Sequence, residues 1–110
     1  MKIAGEEINY SGVKFLVSNE DEKIGRAYLY ILHNELHIEP FGFIEDVFID
    51  EKYRGQGIGT KLVEEILQEA KKKRCYKVVM NSRYMNTKVH RLYEKLGFKD
   101  HGKEFRCDLI

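Results

Sequence analysis

The stretch YRGQGIGTKL, residues 53 to 62, sets three glycines at alternate positions directly after an arginine and directly before a run of helical period. Glycine reaches backbone conformations closed to other residues and lets a ligand approach the main chain, whereas helix interiors disfavour it. After it, Ile58, Leu62, Ile66 and Ala70 recur every four residues, and Val63 and Leu67 widen the stripe, which predicts a helix from Gly57 to about Lys73. Before it, FGFIEDVFID (41 to 50) reads as a strand with Phe43, Glu45, Val47 and Ile49 on one face and Ile44, Asp46 and Phe48 on the other. Two acids therefore interrupt an otherwise apolar strand. A strand, a glycine turn and a helix in that order present unpaired N–H groups at a helix N-terminus, where the dipole favours an anion. Spacing excludes two phosphate loops: Gly59-Thr60-Lys61 fails the GxxxxGK[ST] pattern, and for GxGxxG the third glycine comes one residue early. A glycine-rich turn without a ligand is the alternative.

The rest of the chain supplies a sheet. SGVKFLVSN (11 to 19) alternates Val13, Phe15 and Val17 with Lys14 and Ser18, and the polar turn NEDE leads to a second strand, KIGRAYLYIL (23 to 32). HNELHIEP is a polar connection, and CYKVVMNS (75 to 82) holds a short apolar strand. A second helix is expected from about Thr87 to Leu96, with Asn86 as cap, Val89, Leu92, Tyr93 and Leu96 inward, and Gly97 as a left-handed stop. FKDHGKEFRCDLI (98 to 110) reads as two short strands around His101 and Gly102. The order is strands, helix, strand, helix, strands, around one mixed sheet.

Composition bounds the function. A chain of 110 residues fits one domain, and 43% hydrophobic with 34% charged residues marks an ordinary globular protein. A net charge of +1 excludes a broad nucleic-acid footprint, which needs a basic excess. No apolar run approaches the roughly 20 residues of a membrane span, and MKIAGEEINY lacks a secretory pattern, so a cytoplasmic protein with no membrane partner is expected. Cys75 and Cys107 form no metal-binding cluster and are expected as small buried apolar groups, and the four histidines show no ligand spacing, so no metal is expected. The basic run at 71 to 74 reads as solvated charge complementing a helix C-terminus.

The segments EDVFIDEKYRGQGIGTKLVEEI and NTKVHRLYEKLGF together resemble the GNAT acetyltransferases, whose signature [RQ]xxGx[GA] lies between a strand and a helix. The motif region is similar to that of the glucosamine-6-phosphate and polyamine N-acetyltransferase branches. The resemblance implies a single α/β domain over residues 1 to 110, with a mixed, mostly antiparallel sheet flanked by two main helices. It departs from the family in one respect: two helices usually lie between the first and second strands, and here the first ten residues run almost directly into the strand at 12.

What the resemblance implies chemically is an N-acetyltransferase that uses acetyl-coenzyme A as co-substrate, with a small-molecule or peptide amine as acceptor and a homodimer as one arrangement. Arg54, Gly55, Gln56, Gly57, Ile58, Gly59 and Thr60 correspond to the pyrophosphate loop. Phe48 and Ile49 correspond to the backbone that pairs with the pantetheine arm, and the Val47 N–H to the group that polarises the thioester. Tyr93 sits where the family has its general acid, and also suits a core helix position. Asn86 corresponds to a coenzyme A contact, and also suits a helix cap. Glu45, or Asp46 in its place, is the candidate base, because an amine must be uncharged to attack. Structural roles for both acids fit the sequence equally well. A coenzyme A-binding module without transferase activity, or an interaction domain with structural glycines, are the competing functions.

Overall fold

A computed structural model describes residues 1–110 as seven elements: β1 (Ser11–Asn19), β2 (Glu22–Leu32), β3 (Phe41–Ile49), a 3-10 turn (Glu51–Tyr53), α1 (Ile58–Lys72), β4 (Val78–Met80) and α2 (Thr87–Lys95). They fall into two compact units, residues 1–80 and 81–110.

The first unit carries a four-stranded sheet in the order β1-β2-β3-β4. The first two pairings are antiparallel, as short turns allow, and β4 returns parallel to β3 after the α1 crossover. Alternation in β2 turns Ala27, Leu29 and Ile31 inward, and the α1 stripe of Leu62, Val63, Ile66 and Ala70 is buried with them. Burial of each large aliphatic here contributes roughly 1.5–3 kcal/mol. The other face of β2 carries Arg26, Tyr28 and Tyr30, all half-buried.

Two bulges break the period-2 rule. Val17 pairs with Gly25 and Ser18 with Lys23, so Ile24 is an extra residue on β2, and the adjacent Ile24 and Gly25 are both buried. Gly25 is required there, since a Cβ would come within 2.8 Å of Ile49 Cδ1 and 2.9 Å of the Phe48 carbonyl oxygen. On β3, Glu45 pairs with Tyr28 and Phe48 with Arg26, so Asp46 and Val47 together oppose Ala27 alone. Asp46 adopts the left-handed region, φ 56°, which Asp tolerates better than most side chains.

The second bulge corrects the expected faces of β3. Ile44 and Ile49 are both buried, and Phe48 is exposed, so Ile44 and Phe48 do not share a face and Ile49 does not lie with Glu45. One inserted residue shifts every later side chain to the opposite face.

In the second unit, α2 carries no fully buried residue; Val89, Leu92, Tyr93 and Leu96 are half-buried. Gly97 stops the helix at φ 102°, with the Phe98 N–H returning to the Tyr93 carbonyl at 3.0 Å. The two strands expected in residues 98 to 110 do not form: the segment has no strand pairing, and all of it beyond Phe98 is exposed. Alternation marks a strand only where a neighbour completes its ladder. Cys107 is exposed and Cys75 half-buried, so the expectation of two buried apolar cysteines fails for Cys107, which lies in that unpaired segment. No helix is long and apolar enough to cross a membrane.

Candidate active site

The glycine turn joins the end of β3 to α1. Gly57 is the N-cap residue at φ 81°, and Gly55 lies at φ 79°. Nothing stands within 4 Å of a Cβ built on either, so both glycines are there for conformation and open space rather than for close packing. The first turn of α1 has no side-chain cap and no acidic residue, which leaves its leading N–H groups to solvent or an anion. Gly59 differs, since a Cβ added there would lie 3.8 Å from Ile49 Cγ1, at ordinary van der Waals distance.

The approach to the turn is tethered to the strands before it. Asp50 caps the 3-10 turn by accepting the Lys52 N–H at 3.1 Å, and the Tyr53 hydroxyl donates to Glu22 at 3.2 Å and accepts from Asn19 at 3.4 Å. Arg54 Nε donates to the Ile49 carbonyl at 2.8 Å, with its guanidinium 5.6 Å from the Phe48 ring centroid. Arg54 thereby fixes the loop to the strand end, and its terminal nitrogens make no hydrogen bond within the protein.

Beside the turn runs an open strand edge. β4 pairs with β3 only from Gly42 to Ile44, so from Glu45 to Ile49 the side of β3 away from β2 has no partner strand. The Asp50 N–H points to β2, donating to Ile24 at 2.7 Å, so the Ile49 carbonyl of the same peptide faces the open edge. Val47, Phe48 and Ile49 thus lie on a stretch of β3 without a partner strand, between the bulge and the glycine turn, with the outward Ile49 carbonyl taken by Arg54.

The two acids have different surroundings. Asp46 is held by Arg26 through both oxygens, Nε to Oδ2 at 2.7 Å and Nη2 to Oδ1 at 3.3 Å. That hydrogen-bonded pairing lowers the Asp46 pKa and raises that of Arg26. Arg26 also lies 4.6 Å from the Phe48 ring. Glu45 receives one hydrogen bond, from the Tyr30 hydroxyl to Oε1 at 3.0 Å, and its Oε2 has no protein donor. This bond is the main cause of a raised Tyr30 pKa.

Tyr93 belongs to the second unit, where its ring meets Phe98 edge-on at 5.9 Å and burial raises its pKa. Asn86 is the N-cap residue of α2 by position, but its side chain makes no capping bond; its backbone carbonyl accepts from the His90 N–H at 3.1 Å. The expected side-chain cap is therefore absent, because at φ −91° and ψ 57° the residue is outside the extended conformation that aims a cap at the helix N–H groups. No group of three or more His, Cys, Asp or Glu side chains could hold a metal ion.

Arg26, Tyr28 and Tyr30 were not singled out from sequence. Period 2 in β2 puts them on one face, and the β2–β3 register pairs Tyr28 with Glu45, Arg26 with Phe48 and Tyr30 with Phe43.

The chain is thus an α/β protein with a mixed sheet, a β3–turn–α1–β4 crossover, a glycine-opened helix and a stretch of β3 without a partner strand. The profile of the Acetyltransferase (GNAT) family matches residues 4–98, and the chain belongs to that family. The chain is 43% identical over 68 residues to glucosamine 6-phosphate N-acetyltransferase of Trypanosoma brucei brucei, covering 62% of this chain and 44% of that protein. It is 31% identical over 100 residues to human N-alpha-acetyltransferase 30, covering 89% of this chain and 27% of that one. It thus spans less than half the length of these curated relatives. The crystal structure of a Trypanosoma brucei acetyltransferase superposes with a TM-score of 0.82 at 34% identity, covering 89% of this chain and 69% of that one.

Proposed function

We propose that this chain transfers an acetyl group from acetyl-coenzyme A to a primary amine, by direct attack within a ternary complex. The observation that carries the reading is the pair of left-handed glycines opening an uncapped helix at the end of a free strand edge. In this reading Arg54 to Thr60 receive the pyrophosphate through N–H groups and the Arg54 charge. The open edge at Phe48 and Ile49 pairs with the pantetheine amides, and the Val47 N–H polarises the thioester carbonyl. Asn86, whose side-chain amide is free of capping, is a further coenzyme A contact.

The amine nitrogen attacks the carbonyl carbon, the C–S bond breaks, the nitrogen gives up a proton and the thiolate takes one. For a lysine-like amine of pKa ~10.4, deprotonation at pH 7 costs about 4–5 kcal/mol, and for an α-amine near 8 about 1 kcal/mol. Glu45 is the base, acting through a water on its unengaged Oε2. Asp46 is the weaker candidate, because Arg26 occupies both of its oxygens and lowers its proton affinity. Tyr93 is the acid. Burial raises its pKa, so it stays protonated at neutral pH, and transfer from a phenol near 10 to a thiolate near 8.5 is uphill by about 2 kcal/mol before burial adds to it.

Relatives named for glucosamine 6-phosphate and for thialysine acceptors support primary amines as the acceptor class. The test is thiol release from acetyl-coenzyme A with glucosamine 6-phosphate, thialysine, a polyamine and a peptide bearing a free α-amine. Amine-dependent release is expected. Coenzyme A binding by calorimetry without release for any amine would make the chain a binding module, and absence of binding would sink the site altogether.

A further inference from the structure

We infer that Tyr30 is the positioning residue for Glu45: its hydroxyl holds one carboxylate oxygen so that the other faces the acceptor amine. The inference rests on the acetyl-transfer reading above and extends it to a residue on the neighbouring strand.

Three features of the geometry carry it. Tyr30 lies on β2 opposite Phe43, two residue pairs along from Tyr28 and Glu45, so its long side chain crosses diagonally to reach the carboxylate. The bond at 3.0 Å is the only one Glu45 receives from protein, and it goes to Oε1 alone. A glutamate on an exposed strand face otherwise samples several rotamers, and one charge-assisted bond selects among them.

The phenol has two aromatic neighbours. Tyr28 stacks on Tyr30 at 6.1 Å between centroids with rings 16° apart, Tyr10 meets it edge-on at 6.4 Å, and the Lys14 ammonium lies 5.6 Å from the Tyr28 ring. These aromatic contacts fix a ring whose edge is half-exposed. Finally, the neighbouring carboxylate shows the contrast. Asp46 has both oxygens engaged by Arg26, whereas the Tyr30 bond orients Glu45 and leaves one oxygen free to take a proton.

Tyr30→Phe removes only the hydroxyl and keeps the stack with Tyr28, so the variant should fold, with circular dichroism as the check. Kinetics are run on four proteins, the parent, Tyr30→Phe, Glu45→Gln and the double variant, using whichever of glucosamine 6-phosphate, thialysine or the free-α-amine peptide the parent acetylates. Tyr30→Phe should lower kcat roughly tenfold, as expected when a reacting group loses its alignment, with the KM for acetyl-coenzyme A within about twofold of the parent. In the Glu45→Gln background the same change should alter kcat by less than about twofold, since there is no base left to orient. Equal losses in both backgrounds, or an unaltered kcat in Tyr30→Phe, would overturn the positioning role while leaving acetyl transfer intact. A parent without turnover on any amine overturns both.

Discussion

Gly57 starts α1 from a left-handed conformation with open space beside it, and this separates two consequences of substitution that usually travel together. A Cβ there meets no atom within 4 Å, so its main cost to stability is its φ, about 1–2 kcal/mol for an ordinary residue and less for Asn. In the proposed function the side chain would, however, fill the space meant for the pyrophosphate. Gly57→Asn should therefore fold and lose at least tenfold in coenzyme A affinity by calorimetry, and unchanged affinity in a folded variant would remove the loop from the site. Tyr93 allows a complementary separation. Tyr93→Phe keeps the edge-on contact with Phe98, so its melting temperature should stay close to the parent's while turnover falls by up to about 100-fold. Coenzyme A affinity should not change, because the lost proton acts on a charge that develops only as the C–S bond breaks. Equal turnover at saturation, with chemistry rate-limiting, would leave Tyr93 as a packed aromatic.

Strand β3 shows how a single inserted residue redirects a site. Its bulge places Asp46 at φ 56° in a two-point pair with Arg26, turns Phe48 outward and leaves Ile49 in the core. The paired Asp46 titrates below its ordinary value of about 4, so the pair contributes stability that is complete above pH ~4 and is lost as pH falls through the lowered value. Asp46→Asn suits the same conformation without the charge. The difference in urea midpoint between parent and variant should hold constant from pH 7 to 5 and shrink towards pH 3; a gap of the same size at pH 3 would show that the pairing adds nothing. The existence of β3, its acids and the glycine turn were legible in sequence because alternation and the change of period are local. The bulge was not, because the partner of Asp46 stands twenty residues earlier on another strand, and no window along β3 contains it.

The core of the chain lies entirely within residues 1–80: Ile24, Ala27, Leu29, Ile31, Ile44, Ile49, Leu62, Val63, Ile66 and Ala70 are its buried apolar residues, and α2 contributes none. The periodic stripe of α1 announced Leu62, Val63, Ile66 and Ala70 of this core. The strands expected after Gly97 were misread for the opposite reason, since their pattern is also local but the pairing that would make it a sheet is not. Because a nine-residue helix with no buried side chain is marginal on its own account, the amides of α2 should open by local fluctuation. Those of β2, β3 and α1 should open only with global unfolding. Native-state hydrogen exchange should then rank residues 27–31, 42–44 and 62–70 as slow and 91–95 as faster. Leu29→Ala sharpens the test. Removing a fully buried leucine costs about 2–5 kcal/mol, and the exchange free energy of the slow amides should fall by that amount while those of α2 change little. If α2 amides instead exchange as slowly as Leu29 in the parent, and lose the same protection in the variant, the two units unfold as one and the division of stability between them does not exist.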